Sequence, residues 1–264
     1  MKKAVKTVLG RMLSASGVLR RYSRQMAPVV VFHRVNDGLL GDGMTCNVRT
    51  FRRFCQLFSR EFQVVPFGTL ANRIERHETI DHMLAITFDD GYRDNYEVAA
   101  PILTDFKLPA TFFVTSGFID SDFHPWWDET MGVRAPWMTW RQVADLARAG
   151  FEIGAHTRTH IDLGQITGER AWDEIMGSRQ DIEAKIEAEI RSFAYPYGRR
   201  SQITADNRQL VKQAGFKNCC SCYGGINSAM TDVYSMLRIP IGSWYSSADE
   251  FAFEMLTGRV DLTY

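Results

Sequence analysis

Nowhere does the 264-residue chain approach the roughly 18 consecutive apolar residues that cross a bilayer, so no helical membrane span is expected. Net charge is lacking as well: 31 basic and 31 acidic side chains balance to zero, and no nucleic-acid partner is expected. Cysteine is sparse and irregular. Cys46, Cys55, Cys219, Cys220 and Cys222 form an odd set without a regular framework, which excludes a disulfide scaffold and points to free thiols in a reducing, cytoplasmic compartment. A soft-metal site at Cys219 to Cys222 would need a fourth ligand and a tighter pattern. Internal repeats and low-complexity linkers are missing too. The chain is 45% hydrophobic, enough for one barrel-sized core and too short for a second domain of comparable size.

Acid is absent from one region. Residues 1 to 34 hold eight cations, Lys2, Lys3, Lys6, Arg11, Arg20, Arg21, Arg24 and Arg34, and no carboxylate. Val5, Val8, Leu9, Met12 and Leu13, with Leu19 further on, recur at helical spacing opposite these cations, which predicts a basic amphipathic helix within residues 1–27. Lys6, Gly10 and Arg11 interrupt the apolar core that a signal peptide would need. Two readings follow: residues 1–24 lie on an anionic membrane, at its inner face, or the helix packs on the outer wall of the domain formed by 28–264.

What is present is a set of polar groups at the ends of apolar runs. Met83-Leu84-Ala85-Ile86 leads into Thr87-Phe88-Asp89-Asp90-Gly91, so two carboxylates sit where a strand ends and a glycine releases the chain. Phe151-Glu152-Ile153-Gly154-Ala155 leads into His156-Thr157-Arg158-Thr159-His160. Two imidazoles four residues apart, read as one helical turn, can reach one ion. Of two adjacent carboxylates, one can bind a divalent metal while its neighbour accepts a proton. Asp-Asp-Gly alone reads more readily as a turn with a helix cap, and the histidine pair alone as ordinary surface or core. Their conjunction points to metal-assisted hydrolysis on one rim of an α/β barrel.

Strand and helix patterns alternate along the chain. Strands are expected at Val29 to His33, Phe62 to Val65, Met83 to Phe88, Ala110 to Val114, Phe151 to Ala155, Phe193 to Tyr195, Phe216 to Cys220 and Leu237 to Ile241. Helices are expected after a Thr50 cap, over Tyr92 to Phe106, from Trp140 to Ala149, over Glu169 to Ile190 and Ile203 to Ala214, and from Ala248. Between Gly117 and Trp140 the rhythm breaks. Phe118, Phe123, His124, Trp126, Trp127 and Trp137 crowd a stretch with Pro125 and Pro136, which predicts a structured loop on the catalytic rim. Trp127 and Trp137 are the first candidates for stacking on a sugar, the alternative being a small core of the loop's own.

Thr-Phe-Asp-Asp-Gly, His-Thr-x-x-His and Phe193-Ala194-Tyr195-Pro196-Tyr197-Gly198 resemble, in order, the first three motifs of the NodB-homology polysaccharide deacetylases, carbohydrate esterase family four. The run Val29-Val30-Val31-Phe32-His33-Arg34-Val35 resembles the Tyr-His-Arg-Val opening of a branch in which the late family histidine comes early. The resemblance covers nearly all of the chain from Pro28 and implies a distorted (β/α) barrel. By that resemblance Asp90, His156 and His160 bind one divalent ion, zinc first, with cobalt or nickel as alternatives. Asp89 is then the base, and the ion lowers the pKa of water from ~15.7 toward ~7 and polarises the amide carbonyl. The backbone N–H of Tyr197 stabilises the oxyanion, Tyr195 and Pro196 lie on the substrate side, and His33 is the general acid.

Two departures from the family pattern stand out. The third motif usually carries an arginine that braces the catalytic aspartate, and here Ala194 occupies that position; Arg34 and Arg158 are the substitutes nearest in sequence to site residues. The late Leu-x-His motif is replaced by Leu237-Arg238-Ile239, which the early His33 would explain. The expected activity is removal of N-acetyl groups from amino sugars of a bacterial polysaccharide or lipid-linked glycan precursor. The alternatives are a same-fold amidase acting on a formamido sugar or small amide, and a degenerate glycan-binding module.

Overall fold

The structure, a computed structural model, describes residues 3–15, 18–39 and 42–258. Its strands are β1 (Met26–Phe32), β2 (Arg34–Val35), β3 (Thr45–Cys46), β4 (Gln63–Val64), β5 (Met83–Phe88), β6 (Thr111–Val114), β7 (Glu152–Ala155), β8 (Ser192–Ala194), β9 (Asn218–Gly224), β10 (Ile226–Ser228) and β11 (Met236–Pro240). Seven of them, β1, β5, β6, β7, β8, β9 and β11, pair in parallel around a closed ring. Val30 closes it, with Ile86 across from it on one side and Ile239 on the other. β4 extends the sheet beyond β5, and β10 runs antiparallel to the start of β1.

Period-two alternation splits the strand residues between two apolar groups. Val30, Ile86, Phe112, Phe193 and Cys219 belong to the large core shared with the helices. Val29, Ala85, Phe113, Ala194 and Cys220 fill the barrel interior, which the helix over Phe67–Glu75 stops at one end. β1 is buried from Ala27 onward and β5 along its whole length, as continuous apolar runs require.

The helices are α1 (Lys3–Ala15), α2 (Val18–Tyr22), α3 (Val48–Glu61), α4 (Phe67–Glu75), α5 (Ala100–Asp105), α6 (Trp126–Thr130), α7 (Trp140–Arg148), α8 (Gly168–Ile186), α9 (Ala205–Gln213) and α10 (Ala248–Leu256). The alternation follows the sequence reading, with local differences. Asn47, not Thr50, caps α3: its side chain accepts from the Thr50 N–H. The expected helix over Tyr92 to Phe106 is a π-turn, Asn95–Ala99, followed by α5. The long charged helix stops at Ile186 because Glu187 is left-handed, φ 55°.

The N-terminal helix turns its polar side inward. Lys6 pairs with Glu254 and lies 3.9 Å from Glu250, while Thr7 Oγ1 meets Ser247 Oγ at 3.1 Å. Gly10 makes the approach possible: a Cβ there would fall 1.8 Å from the Asp249 carbonyl oxygen. Val5, Val8, Leu9 and Met12 consequently face outward, 37 to 63% exposed. Leu19 differs from that row and is fully buried; the Leu13 side chain lies outside the described residues. Among the described residues no helix is long and apolar enough to cross a membrane.

Candidate active site

Asp89 follows β5 by one residue and continues its inward face after Ala85 and Thr87. Asp90 adopts φ 73° and Gly91 φ 96°, a left-handed pair that reverses the chain and brings the second carboxylate onto the same rim. The two histidines arrive differently from expectation. Residues 156–160 form no helical turn; Thr157 and His160 are left-handed, φ 61° and 56°. The bend is held from α8, where Glu174 accepts from the backbone N–H of Arg158 and Thr159, at 3.0 and 2.8 Å, and from the Thr159 hydroxyl at 2.6 Å.

Together these bends place His156 Nε2 3.5 Å and His160 Nε2 3.3 Å from Asp90 Oδ1. Both Asp90 oxygens are buried and neither has a hydrogen-bond partner. An unpartnered buried carboxylate is costly, and a cation between it and two imidazoles removes that cost. His156 Nδ1 lies 2.8 Å from the Ala194 carbonyl oxygen. A carbonyl can only accept, so Nδ1 carries the proton and Nε2 offers its lone pair to the cluster. Burial pushes the His156 pKa down to about 4, which keeps the ring neutral. One carboxylate and two imidazoles with ligand atoms this close together fit a divalent ion.

Asp89 is held by a residue that the sequence reading passed over. Arg238, on β11, donates from Nη1 and Nη2 to the two Asp89 oxygens at 2.7 and 2.6 Å, and from Nη1 to Thr87 Oγ1 at 3.1 Å. Burial alone would raise the Asp89 pKa, but the Arg238 guanidinium outweighs it and holds the carboxyl below the usual range. Ala194, at the place of the usual family arginine, contributes its carbonyl to His156 instead.

Neither expected substitute braces Asp89. Arg34 is fully buried among Asp128, Asp42 at 3.3 Å and the Tyr92 ring at 4.8 Å, so it anchors the aromatic loop. Arg158 forks onto Asp181 of α8 at 2.8 and 3.0 Å.

A cavity of about 290 Å³ opens onto the cluster, lined by Asp89, Asp90, His156, His160, His33 and the Tyr197 loop. His33, one residue beyond β1, brings a ring nitrogen within 4.8 Å of ligating atoms of Asp89 and Cys222. Burial lowers its pKa, against the pull of the Asp90 and Asp89 carboxylates. Tyr197 is left-handed, φ 61°, and its N–H has no acceptor among the described residues.

Of the four expected substrate contacts, Trp127 lines the cavity, 4.7 Å from the His160 ring with its Nε1 donating to Tyr92. Trp137 is buried in the loop's own small core, 4.4 Å from Tyr92 and stacked on it, as the alternative reading had it. Tyr195 is buried against Phe193 and Cys219, and Pro196 is buried as well; neither lines the cavity. Trp126, Tyr223 and Trp244 complete the lining instead. All five cysteines are free and buried, and Cys219 and Cys220 face opposite sides of β9, which separates the thiols that a soft-metal site would need.

Comparison with known proteins follows the same lines. The chain is 25% identical over 163 residues to the Bacillus subtilis (strain 168) protein YxkH, covering 62% of this chain and 53% of that protein. It is 23% identical over 262 residues to the Escherichia coli (strain K12) poly-β-1,6-N-acetyl-D-glucosamine N-deacetylase, covering 86% of this chain and 38% of the relative. The chain thus spans about half or less of the length of these relatives. Its fold superposes on that of the Streptococcus pyogenes deacetylase PplD with a TM-score of 0.71 at 22% identity, over 88% of this chain and 97% of that one. The family profile described as polysaccharide deacetylase matches residues 76–219, more than half of the chain and the whole stretch that supplies Asp89, Asp90, His156 and His160. On that match and this fold, the chain belongs to the polysaccharide deacetylase family.

Proposed function

We propose that the protein is a metal-dependent carbohydrate N-deacetylase, a hydrolase of the amide bond in N-acetylated amino sugars of a bacterial polysaccharide or lipid-linked glycan. One observation carries the reading: a buried Asp90 carboxylate without hydrogen-bond partners faces two imidazoles, beside a second carboxylate locked by an arginine and on the cavity that His33 lines. Asp90, His156 and His160 would hold the ion, with zinc preferred and cobalt or nickel as alternatives. When bound, such an ion polarises the amide carbonyl and makes water more acidic.

The remaining work falls to this chain's own groups. Asp89, fixed by Arg238, takes the proton of the attacking water at a carboxylate oxygen. The Tyr197 N–H donates to the oxyanion that develops on the acetyl carbonyl. His33 gives a proton to the departing amine nitrogen, without which the amine is a poor leaving group. Trp127 forms a wall for the sugar ring. A degenerate binding module would have no use for an ionised, arginine-locked carboxylate beside the metal cluster. Incubating metal-reconstituted protein with acetylated oligosaccharides of several sugars and measuring released acetate tests the reading; absence of acetate with all of them contradicts it.

The outward row on α1 supports a second proposal, peripheral contact with an anionic membrane. Val5, Val8 and Met12 are exposed together with Arg11, Arg20, Arg21 and Arg24, the combination of apolar face and cations that such a surface attracts.

A further inference from the structure

Next to the catalytic cavity lies a second one of about 660 Å³. Tyr223 lines both, so the two adjoin at this residue. The loop that begins the catalytic wall with Tyr197 continues through Gly198 into Arg199 and Arg200, which form the wall of the second cavity together with Arg208 of α9. Three arginines line this space and no acidic residue does. Arg208 has a carboxylate in range, Asp232 at 3.8 Å, and donates to Ser235 Oγ at 2.9 Å. Arg199 lies over the Tyr223 ring at 5.9 Å, and among the described residues no carboxylate comes within ion-pair distance of Arg199 or Arg200.

A neutral glycan would leave Arg199 and Arg200 without a counter-charge. A concave wall carrying one sign of charge concentrates ligands of the other sign, and guanidinium forks match the paired oxygens of carboxylate and phosphate. Tyr223 lines both cavities with Arg199 over its ring, and the arginines of the second cavity offer donors to an oxyanion on a sugar that reaches it.

We propose that the second cavity is a subsite for an anionic group, a carboxylate or a phosphate, carried by the sugar next to the acetamido sugar whose amide is hydrolysed. The inference rests on the deacetylase reading and narrows its substrate to a negatively charged glycan.

Three substrates of equal length test it: a neutral N-acetylglucosamine oligosaccharide, one with a glucuronate beside the acetylated residue, and one with a phosphodiester there. At low salt the wild-type, metal-loaded protein should show a KM lower by about tenfold, equivalent to about 1.4 kcal/mol, for an anionic substrate at similar kcat. Added salt should erode the difference. Arg199→Ala together with Arg200→Ala should remove it while leaving kcat and the neutral KM unchanged. A gain on the glucuronate or on the phosphodiester identifies the source of the anion; equal KM for all three overturns the subsite. If none of the three is turned over, the deacetylase reading fails first, and calorimetric binding of the same oligosaccharides still decides. Tighter anionic binding that the double substitution abolishes supports the subsite, and equal affinities overturn it.

Discussion

Arg238 and Asp89 form a two-pronged ion pair across the barrel interior, at 2.7 and 2.6 Å, with both side chains out of solvent. Their strands, β5 and β11, do not pair with each other; each pairs with β1. Closure of the ring is what brings them together. The pair fixes both the charge and the orientation of Asp89, the proposed base, which a single hydrogen bond would not do.

Removing the guanidinium should therefore affect stability and turnover separately. Arg238→Met leaves a buried carboxylate without its partner, a change that costs about 3–5 kcal/mol in comparable cases. In the protein that remains folded, kcat should fall by about 10²-fold, the scale of a misplaced catalytic group, with little change in KM. Arg238→Lys keeps the charge without the fork and should restore part of kcat. Unchanged kcat in folded Arg238→Met would remove Arg238 from the account of the base.

The ion-binding assignment has its own readout. His156→Ala or His160→Ala leaves two protein ligands, too few to hold zinc firmly against water, so stoichiometric metal should be lost from both variants. Elemental analysis after dialysis gives the answer. Full metal content in both would show that the ion binds elsewhere.

His33 is distinguished by its choice of substrate. His33→Ala should keep its metal and fold yet lose kcat on an acetamido sugar, and the loss should shrink on an activated ester whose leaving group departs without a proton. An equal loss on both substrates would point to a structural or oxyanion role.

For the membrane proposal, truncation is a poor probe, because Leu19 and Ser23 are buried and a deletion reaching residue 24 would open the core. Substituting the outward row, Val5→Ser, Val8→Ser and Met12→Ser, touches only exposed side chains. The variant should leave anionic vesicles in a flotation assay while its melting temperature stays unchanged. If wild-type protein fails to float with such vesicles, the row serves another purpose.

Much of the site was legible because a parallel barrel collects strand ends on one rim. Asp89, His156 and His33 each stand one residue past an apolar run, and the structure brings them to one cavity. The brace was harder to see. Arg238 stands in sequence at the variable middle position of the late motif, whose histidine is replaced by Ile239, yet an arginine inside an otherwise apolar strand is a buried charge that requires a partner, and Asp89 was the carboxylate in need of one. Which strand would lie across from it depended on barrel closure, which no local pattern specifies. The aromatic loop was undecided for a similar reason: Trp127 and Trp137 are alike in sequence, and only packing around Tyr92 places one on the cavity and the other in the core. The spacing of four suggests a helical turn, whereas the Glu174 clamp from α8 holds a bend in which Thr157 and His160 are left-handed.

The central claim, that Asp89 acts as base beside an ion held by Asp90, is tested most directly by one paired measurement: acetate released from N-acetylated oligosaccharides, together with bound metal, for the wild type, Asp89→Asn and Asp90→Asn. The expected result is metal-dependent release by the wild type, retention of the ion by Asp89→Asn with a rate lower by a factor on the order of 10²–10⁴, and loss of both ion and activity in Asp90→Asn. Undiminished release by Asp89→Asn, or equal loss of metal from the two variants, would contradict it.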